Sequence, residues 1–245
     1  MFSYRHAFHA GNHADVLKHT VLIAVLRHLM QKEAFIQYTD THAGAGLYRL
    51  DGDYAEKSGE AAEGVLKVIQ AKQALTSSIL LDYLEMVNSF NSAGKTRVYP
   101  GSPFIIHQLL RHDSRDRLKL YELHPTDHKA LVGNVAQLEA GRAIQIKSED
   151  GFEALKALLP PPLSSSGSRR ACVLLDPSYE LKSDYARVLD SVQDSLKRFA
   201  TGTYLVWYPV IPRTEAHDLP RKLKLLCQPI KKPWINATFA IGRAT

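Results

Sequence analysis

At 245 residues with 45% hydrophobic content, the chain is long enough to bury a full core, as one large domain or as a domain with an insert. Its 31 Lys and Arg against 25 Asp and Glu give a net charge of +6 and a pI near 9.2, which suits a polyanionic partner without requiring one. Cys172 and Cys227 both sit in apolar runs, which excludes a disulfide framework; no run approaches the roughly 20 apolar residues of a membrane span, and the polar, aromatic amino end is unlike a signal peptide, so a cytoplasmic setting is expected.

Residues 1–13 have neither helical nor strand periodicity and read as a tail that folds back over a cleft. His6, His9 and His13 fall in it, but no cysteines or clustered acids accompany them, so no metal site is expected. From 13 to about 32, Leu17, Val21, Val25 and Leu29 form an i, i+4 stripe that predicts a helix, with Lys18 and His19 beside the stripe. The ordinary reading of Lys18 is a solvated helix charge; the sharper one is a cation close to whatever the tail covers. Residues 34–40 read as the first strand, closed by Asp40 and followed at once by Thr41-His42-Ala43-Gly44-Ala45-Gly46. An acid closing a strand before Gly-x-Gly lets backbone approach a ligand, although the third glycine of a dinucleotide fingerprint is absent.

Residues 51–98 interrupt the strand-helix alternation with two helical stretches, 57–73 and 77–90. They read as a small helical insert, which divides the chain into 1–50, 51–98 and 99–245. Tyr99-Pro100-Gly101-Ser102-Pro103 is a sharp turn in which Ser102 caps a helix running to about 112. A second strand, 118–123, carries Glu122 near its end, and a helix follows to about 138. A third strand, 143–147, leads into Asp150-Gly151-Phe152 and a helix to 159. Pro160 to Ser168 is a surface loop with Arg169 and Arg170 beside it.

The stretch Ala171-Cys172-Val173-Leu174-Leu175-Asp176-Pro177-Ser178-Tyr179 opens with five apolar residues, too few for a helix, and reads as a strand buried on both faces that stops at Asp-Pro. A helix over 184–199, a strand over 202–210, a basic cluster of Arg221, Lys222, Lys224, Lys231 and Lys232, and a last strand over 237–241 complete the chain. The basic cluster is ordinarily a solvated face and otherwise a set of phosphate contacts.

The alternation implies an α/β fold with a doubly wound, mostly parallel sheet. Asp40, Glu122, Asp150 and Asp176 then stand at successive strand ends, where ligands bind in such sheets. A single acid there is more often a helix cap; four together point to a nucleoside-containing cofactor held across the first three ends, with Asp176-Pro177-Ser178-Tyr179 facing the reacting group. That trio of carboxylate, carbonyl and ring suits a flat heterocycle with an exocyclic amine. Asp176 would accept one N–H and the Pro177 carbonyl the other, turning the nitrogen lone pair toward an electrophile, while Tyr179 stacks on the base.

Several blocks carry a resemblance to a known family: Tyr4-Arg5-His6, Phe8-His9-Ala10-Gly11-Asn12-His13-Ala14-Asp15-Val16-Leu17-Lys18-His19, Asp40 through Gly46, Tyr99 through Pro103, Glu122-Leu123-His124-Pro125 and Asp150-Gly151-Phe152. From residue 1 to about 213 the chain resembles the bacterial RlmJ-type 23S ribosomal RNA adenine-N6 methyltransferases. The resemblance implies a Rossmann-like class I methyltransferase sheet, S-adenosylmethionine as methyl donor and 23S rRNA as partner, with a described link to the use of external DNA as nutrient. It implies that His19, His42, Ser102, Glu122, Asp150 and Gly151 contact the donor, that Asp176 is the catalytic carboxylate, and that Tyr4, His6 and Lys18 lie near the target base. Two departures stand out. Ser178 replaces the second proline of the family's Asp-Pro-Pro-Tyr, which costs the loop rigidity, and the match fades after Arg213. The rival expectations are the same chemistry on DNA adenine, and a nucleic-acid-binding protein without catalysis.

Overall fold

The computed structural model describes residues 6–52, 59–92, 95–111, 116–165 and 167–241. Its centre is strand β1, Gln37–Asp40, all four residues of which are buried. The sequence of strands continues with β2 (Leu47–Arg49), β3 (Val98–Pro100), β4 (Arg117–Tyr121), β5 (Ile144–Lys147), β6 (Ala171–Leu175) and β7 (Thr203–Val206). Five of them form one sheet in the order β5-β4-β1-β6-β7, and every pairing in it is parallel.

Parallel neighbours require crossovers, and the helices that supply them cover both faces. The helices are α1 (His13–Leu29), α2 (Glu60–Glu63), α3 (Val65–Gln70), α4 (Ser78–Ser89), α5 (Ser102–Leu109), α6 (Pro125–Ala136), α7 (Gly151–Leu158), α8 (Ser183–Arg198) and α9 (Thr214–Cys227), of which α1 precedes the first strand and α9 follows the last. Strand β6 shows why the five-residue apolar run was needed. Cys172 and Leu174 enter a core with α1, α4, α5 and α6, while Ala171, Val173 and Leu175 enter a second core with α7, α8 and α9. With period 2 and both faces covered, every position must be apolar. Each such side chain contributes about 1.5–3 kcal/mol by leaving water.

The chain builds β1, β4 and β5 outward in one direction and then returns to place β6 and β7 on the other side of β1. The connection reverses between β1 and β6, and the crevice beyond their carboxyl ends is where such sheets hold ligands. At the opposite end of the sheet, the Arg111 and Arg170 guanidiniums donate to the carbonyls of Lys32 and Ala34, which fastens the exit of α1 to the start of β1.

Several features depart from the sequence expectations, α9 among them, since no helix was expected there. The helical stretch expected over 57–73 is two short helices meeting at Gly64, with 53–58 outside the described residues. Strands β2 and β3 form an antiparallel pair that three-residue segments were too short to announce; with the Gly101 N–H donated to the Gly46 carbonyl at 2.8 Å, the pair ties the glycine loop to the Ser102 turn. Residues 237–241 are not a strand. Among the described residues no strand pairs with them, and Phe239 and Ile241 are exposed. Alternating composition makes a strand only where a neighbouring backbone accepts the ladder. Helices α2 and α4 pack onto α1, with Tyr83, Leu84 and Val87 in the same core as Leu22, Ile23 and Leu26. Among the described residues, no helix is long and apolar enough to cross a membrane.

Candidate active site

A cavity of about 620 Å³ opens at the carboxyl ends of the sheet. The segment from His6 to Asn12, the first turns of α1, the loop after β1, the Ser102 turn, Glu122, Asp150-Gly151-Phe152 and Asp176 through Leu181 all reach it. The sequence expectations thus converge on one place. Tyr4 lies outside the described residues.

Asp176 follows β6 directly, its side chain 16% exposed. Lys18 Nζ donates to its Oδ2 at 2.6 Å and also contacts Asp15 Oδ1 at 2.9 Å. Asp15 Oδ2 in turn accepts from the Gly11 N–H at 2.9 Å and meets His6 Nε2 at 3.0 Å. Lys18 is therefore no solvated helix charge; it is a buried cation between two acids. Burial opposes its charge, but Asp15 and Asp176 outweigh that and hold its pKa well above the usual lysine value. Burial raises Asp176 above the ordinary carboxylate range, and Lys18 pulls it back. Burial also works against Asp15, yet His6 and Lys18 hold it well below its usual value. The chain His6–Asp15–Lys18–Asp176 links the amino-terminal segment to the strand end. His9 Nδ1 meets the Glu60 carboxylate at 2.9 Å, and Asn12 Nδ2 donates to it at 2.9 Å, so α2 anchors the same segment.

On the other side of the crevice the strand-end acids are held by amides. Glu122 Oε2 accepts from the Gly44 N–H and Oε1 from the His124 N–H, both at 2.7 Å, while burial raises its pKa. Asp150 caps α7 through the amides of Phe152 and Glu153. Ser102 does not use its hydroxyl as a cap. Its Oγ donates to Asp40 Oδ2 at 2.6 Å, and Asp40 Oδ1 accepts from the His42 N–H at 3.2 Å. Asp40 is fully buried and its pKa is pushed up to about 6, chiefly by burial. It serves as a clamp between two loops, whereas Glu122, Asp150 and Asp176 line the cavity.

His19 is 1% exposed, contrary to the helix-surface reading. Its Nδ1 meets Tyr99 Oη at 2.7 Å, and its Nε2 has no partner among the described residues. Burial drives its pKa down to about 3, and that of His42 to about 4, so both rings are neutral near pH 7. The sign of the pH dependence follows for His19. Its unfolded form takes up a proton near pH 6.5 while the folded form resists until about 3, so stability is lost as pH falls below 6.5. The linkage amounts to about 2 kcal/mol by pH 5. Thermal melts from pH 7.5 to 5 should show a falling midpoint that His19→Gln flattens; parallel slopes for the two proteins would contradict this.

Pro177 is buried and Ser178 exposed. Tyr179 takes φ +56°, a strained conformation for a bulky residue. Its hydroxyl donates to the Trp207 carbonyl at 2.5 Å, and Arg213 Nη1 donates to its carbonyl at 3.1 Å. These bonds hold the loop that lacks the second proline. The Tyr179 ring lines the cavity but is 3% exposed and packs against Tyr185, so little of its face is open.

Gly151 must be a glycine for want of space: a Cβ there would lie 2.1 Å from the Thr41 carbonyl oxygen. Gly151→Ala should destabilise the fold by about 1–3 kcal/mol, seen as a melting temperature lowered by several degrees. A melt within 1 °C of wild type would refute the contact.

Sequence reasoning missed Asp15 and Arg187. Asp15 was readable as the i, i+3 partner of Lys18, but nothing in the sequence said that the pair was buried. Arg187 offered no signal beyond being one charge on an amphipathic helix.

The family described as "Ribosomal RNA large subunit methyltransferase D, RlmJ" matches residues 32–231. Two proteins named ribosomal RNA large subunit methyltransferase J are each 45% identical to this chain. The one from Escherichia coli (strain K12) aligns over 223 residues, 89% of this chain and 75% of its own length; the one from Haemophilus influenzae aligns over 225, 91% of this chain and 76% of its own. A solved Legionella pneumophila structure superposes with a TM-score of 0.78 at 35% identity, over 89% of this chain and 76% of that one. With the parallel sheet and the strand-end site already in place, these likenesses make the chain a member of the RlmJ family of ribosomal RNA large subunit methyltransferases.

Proposed function

We propose that the protein transfers a methyl group from S-adenosylmethionine to the N6 amine of an adenine in 23S ribosomal RNA. The observation that carries this reading is Asp176: a carboxylate at the end of a central strand, charge-paired with buried Lys18 at 2.6 Å, in the same cavity as Glu122 and Asp150.

Three local features favour a nucleoside-containing donor. Glu122 has both oxygens fixed by amides, so its remaining lone pairs are pre-aimed acceptors suited to ribose hydroxyls. At Gly44, φ is +59° and a Cβ would lie 2.3 Å from Tyr48 Oη, so the loop approaches its surroundings as bare backbone. His19 Nε2, buried without a partner, is suited to a polar group of the donor. Asp150 and Gly151 would meet its adenine, with His42 and Ser102 completing the enclosure. Bound there, S-adenosylmethionine supplies a methyl group activated by its sulfonium.

The protein's own contribution is orientation and charge. Lys18 occupies Asp176 Oδ2 and so turns Oδ1 toward the substrate. That oxygen accepts one amine hydrogen and the Pro177 carbonyl the other, which opposes delocalisation of the nitrogen lone pair into the ring. As the N–C bond forms, the nitrogen becomes positive and Asp176 stabilises it, then takes or relays the proton. Lys18, shared with Asp15, favours the ionised form of Asp176 against burial. His6, on the anchored amino-terminal segment, would border the target base, which must leave its stack to enter. The net charge of +6 suits an RNA backbone.

The test offers labelled S-adenosylmethionine with unmodified 23S rRNA, the same RNA already modified, and duplex DNA. Label entering only unmodified RNA, at an adenine N6, is expected. Label in DNA alone would replace the substrate, and nucleic-acid binding without transfer would overturn the reading.

A further inference from the structure

Arg187, on α8, plays no part in the expectations above, yet it stands against one of the acids assigned to the donor. Its Nη2 donates to Asp150 Oδ2 at 2.6 Å, and its guanidinium lies over the Phe152 ring, 4.4 Å from the centroid. Asp150 Oδ1 accepts from the amides of Phe152 and Glu153 at 3.0 and 3.4 Å. Both oxygens thus receive N–H donors, and both Asp150 and Arg187 line the cavity. Burial pushes the Asp150 carboxyl up, but Arg187 and the two amides outweigh it and leave it below the usual carboxylate range.

The simpler account of this pair is a tie between α7 and α8. Those helices already pack through Phe152, Leu155, Val188 and Val192, and an ion pair with partners 32–40% exposed adds little to such a contact. A fixed carboxylate has a further consequence. It attracts an amino N–H and repels a carbonyl oxygen, and a site built this way rejects the analogue that cannot make the bond.

We propose that Arg187 is a specificity-determining positioning residue for the methyl donor, fixing Asp150 as an acceptor-only group that selects a purine with a 6-amino substituent. The inference rests on the S-adenosylmethionine reading above. Released from Arg187, the carboxyl group rotates more freely and no longer presents Oδ2 at a fixed angle to the amino hydrogen of the base. Discrimination then falls even where the fold is intact.

The experiment measures calorimetric binding of S-adenosylhomocysteine and its 6-oxo counterpart, S-inosylhomocysteine, to the full chain and to Arg187→Met, Arg187→Lys and Asp150→Asn. Wild type should prefer the 6-amino ligand by about a hundredfold. Arg187→Met, whose stem still covers Phe152, should bind it about tenfold more weakly and shrink the preference below about tenfold, with Arg187→Lys between the two. Asp150→Asn should lose the preference outright. An Arg187→Met protein that keeps the wild-type ratio overturns the inference and leaves a helix tie; one that binds S-adenosylhomocysteine more tightly overturns it too, because the arginine would then occupy the base's place. Failure of wild type to bind either ligand would instead sink the donor reading itself.

Discussion

Asp176→Ala is expected to lower methyl transfer about a thousandfold while leaving the affinity for S-adenosylhomocysteine within about threefold of wild type. The first figure is the usual scale for removing one group that both orients the reacting atom and stabilises its developing charge. The second follows from the cavity's division, since Glu122 and Asp150 lie on the far side of β1 from Asp176. Asp176→Asn separates shape from charge. It keeps an oxygen acceptor but loses the negative charge, and it should retain more activity than alanine while remaining at least about a hundredfold below wild type. Single-turnover transfer with saturating donor and RNA reads the chemical step directly. Activity of Asp176→Ala within tenfold of wild type would remove this carboxylate from the reaction.

Lys18→Met should be the most damaging single change to the fold among the site residues, and nearly as damaging to the rate. It strips the shared cation from two acids, buried Asp15 at 1% and half-buried Asp176 at 16% exposure. Breaking a buried pair from one side costs about 3–5 kcal/mol, and for a chain of this size each kcal/mol is worth about 2–4 °C. A melting point roughly 10 °C lower follows. The double change Lys18→Met with Asp15→Asn should regain part of that loss, because one of the two stranded charges is gone. The pH dependence should move as well. Lys18 holds the Asp176 pKa down against burial, so without it the ionised form needs a higher pH, and the alkaline rise in rate should shift upward. Unchanged melting and an unshifted profile together would mean that the Lys18–Asp176 contact carries nothing.

Much of this site was readable because the sheet writes its reactive positions in a simple code. A short apolar run ended by an acid gave Asp40, Glu122 and Asp176, and the Asp150-Gly151 step after β5 gave the fourth. Of these, Asp40 proved a buried clamp for Ser102 and His42, a distinction of side-chain direction that spacing does not carry. Polar residues buried on helices were the opposite case. His19 came into the site only through resemblance and Lys18 only as the sharper of two readings, since an amphipathic stripe ordinarily assigns such residues to solvent, and what they meet lies beyond the helix: Asp176 for Lys18, Tyr99 for His19. Arg187 was silent for the same reason, with its partner 37 residues upstream. Strands β2 and β3 were too short for a period, and α9 was hidden by the Pro220 inside it.

The separation between Lys18 and Asp176, 158 residues, has a meaning during synthesis. Helix α1 leaves the ribosome early, carrying a lysine that its own neighbour Asp15 neutralises only in part. The second acid arrives at about 5–20 residues per second, hence roughly 8–30 seconds later. Until β6 is in place, Lys18 has Asp15 as a partner but lacks Asp176, so burying α1 fully costs more than it does in the finished fold. The contact proposed to ready the carboxylate for chemistry also makes closure of the first half more favourable once the second has been made.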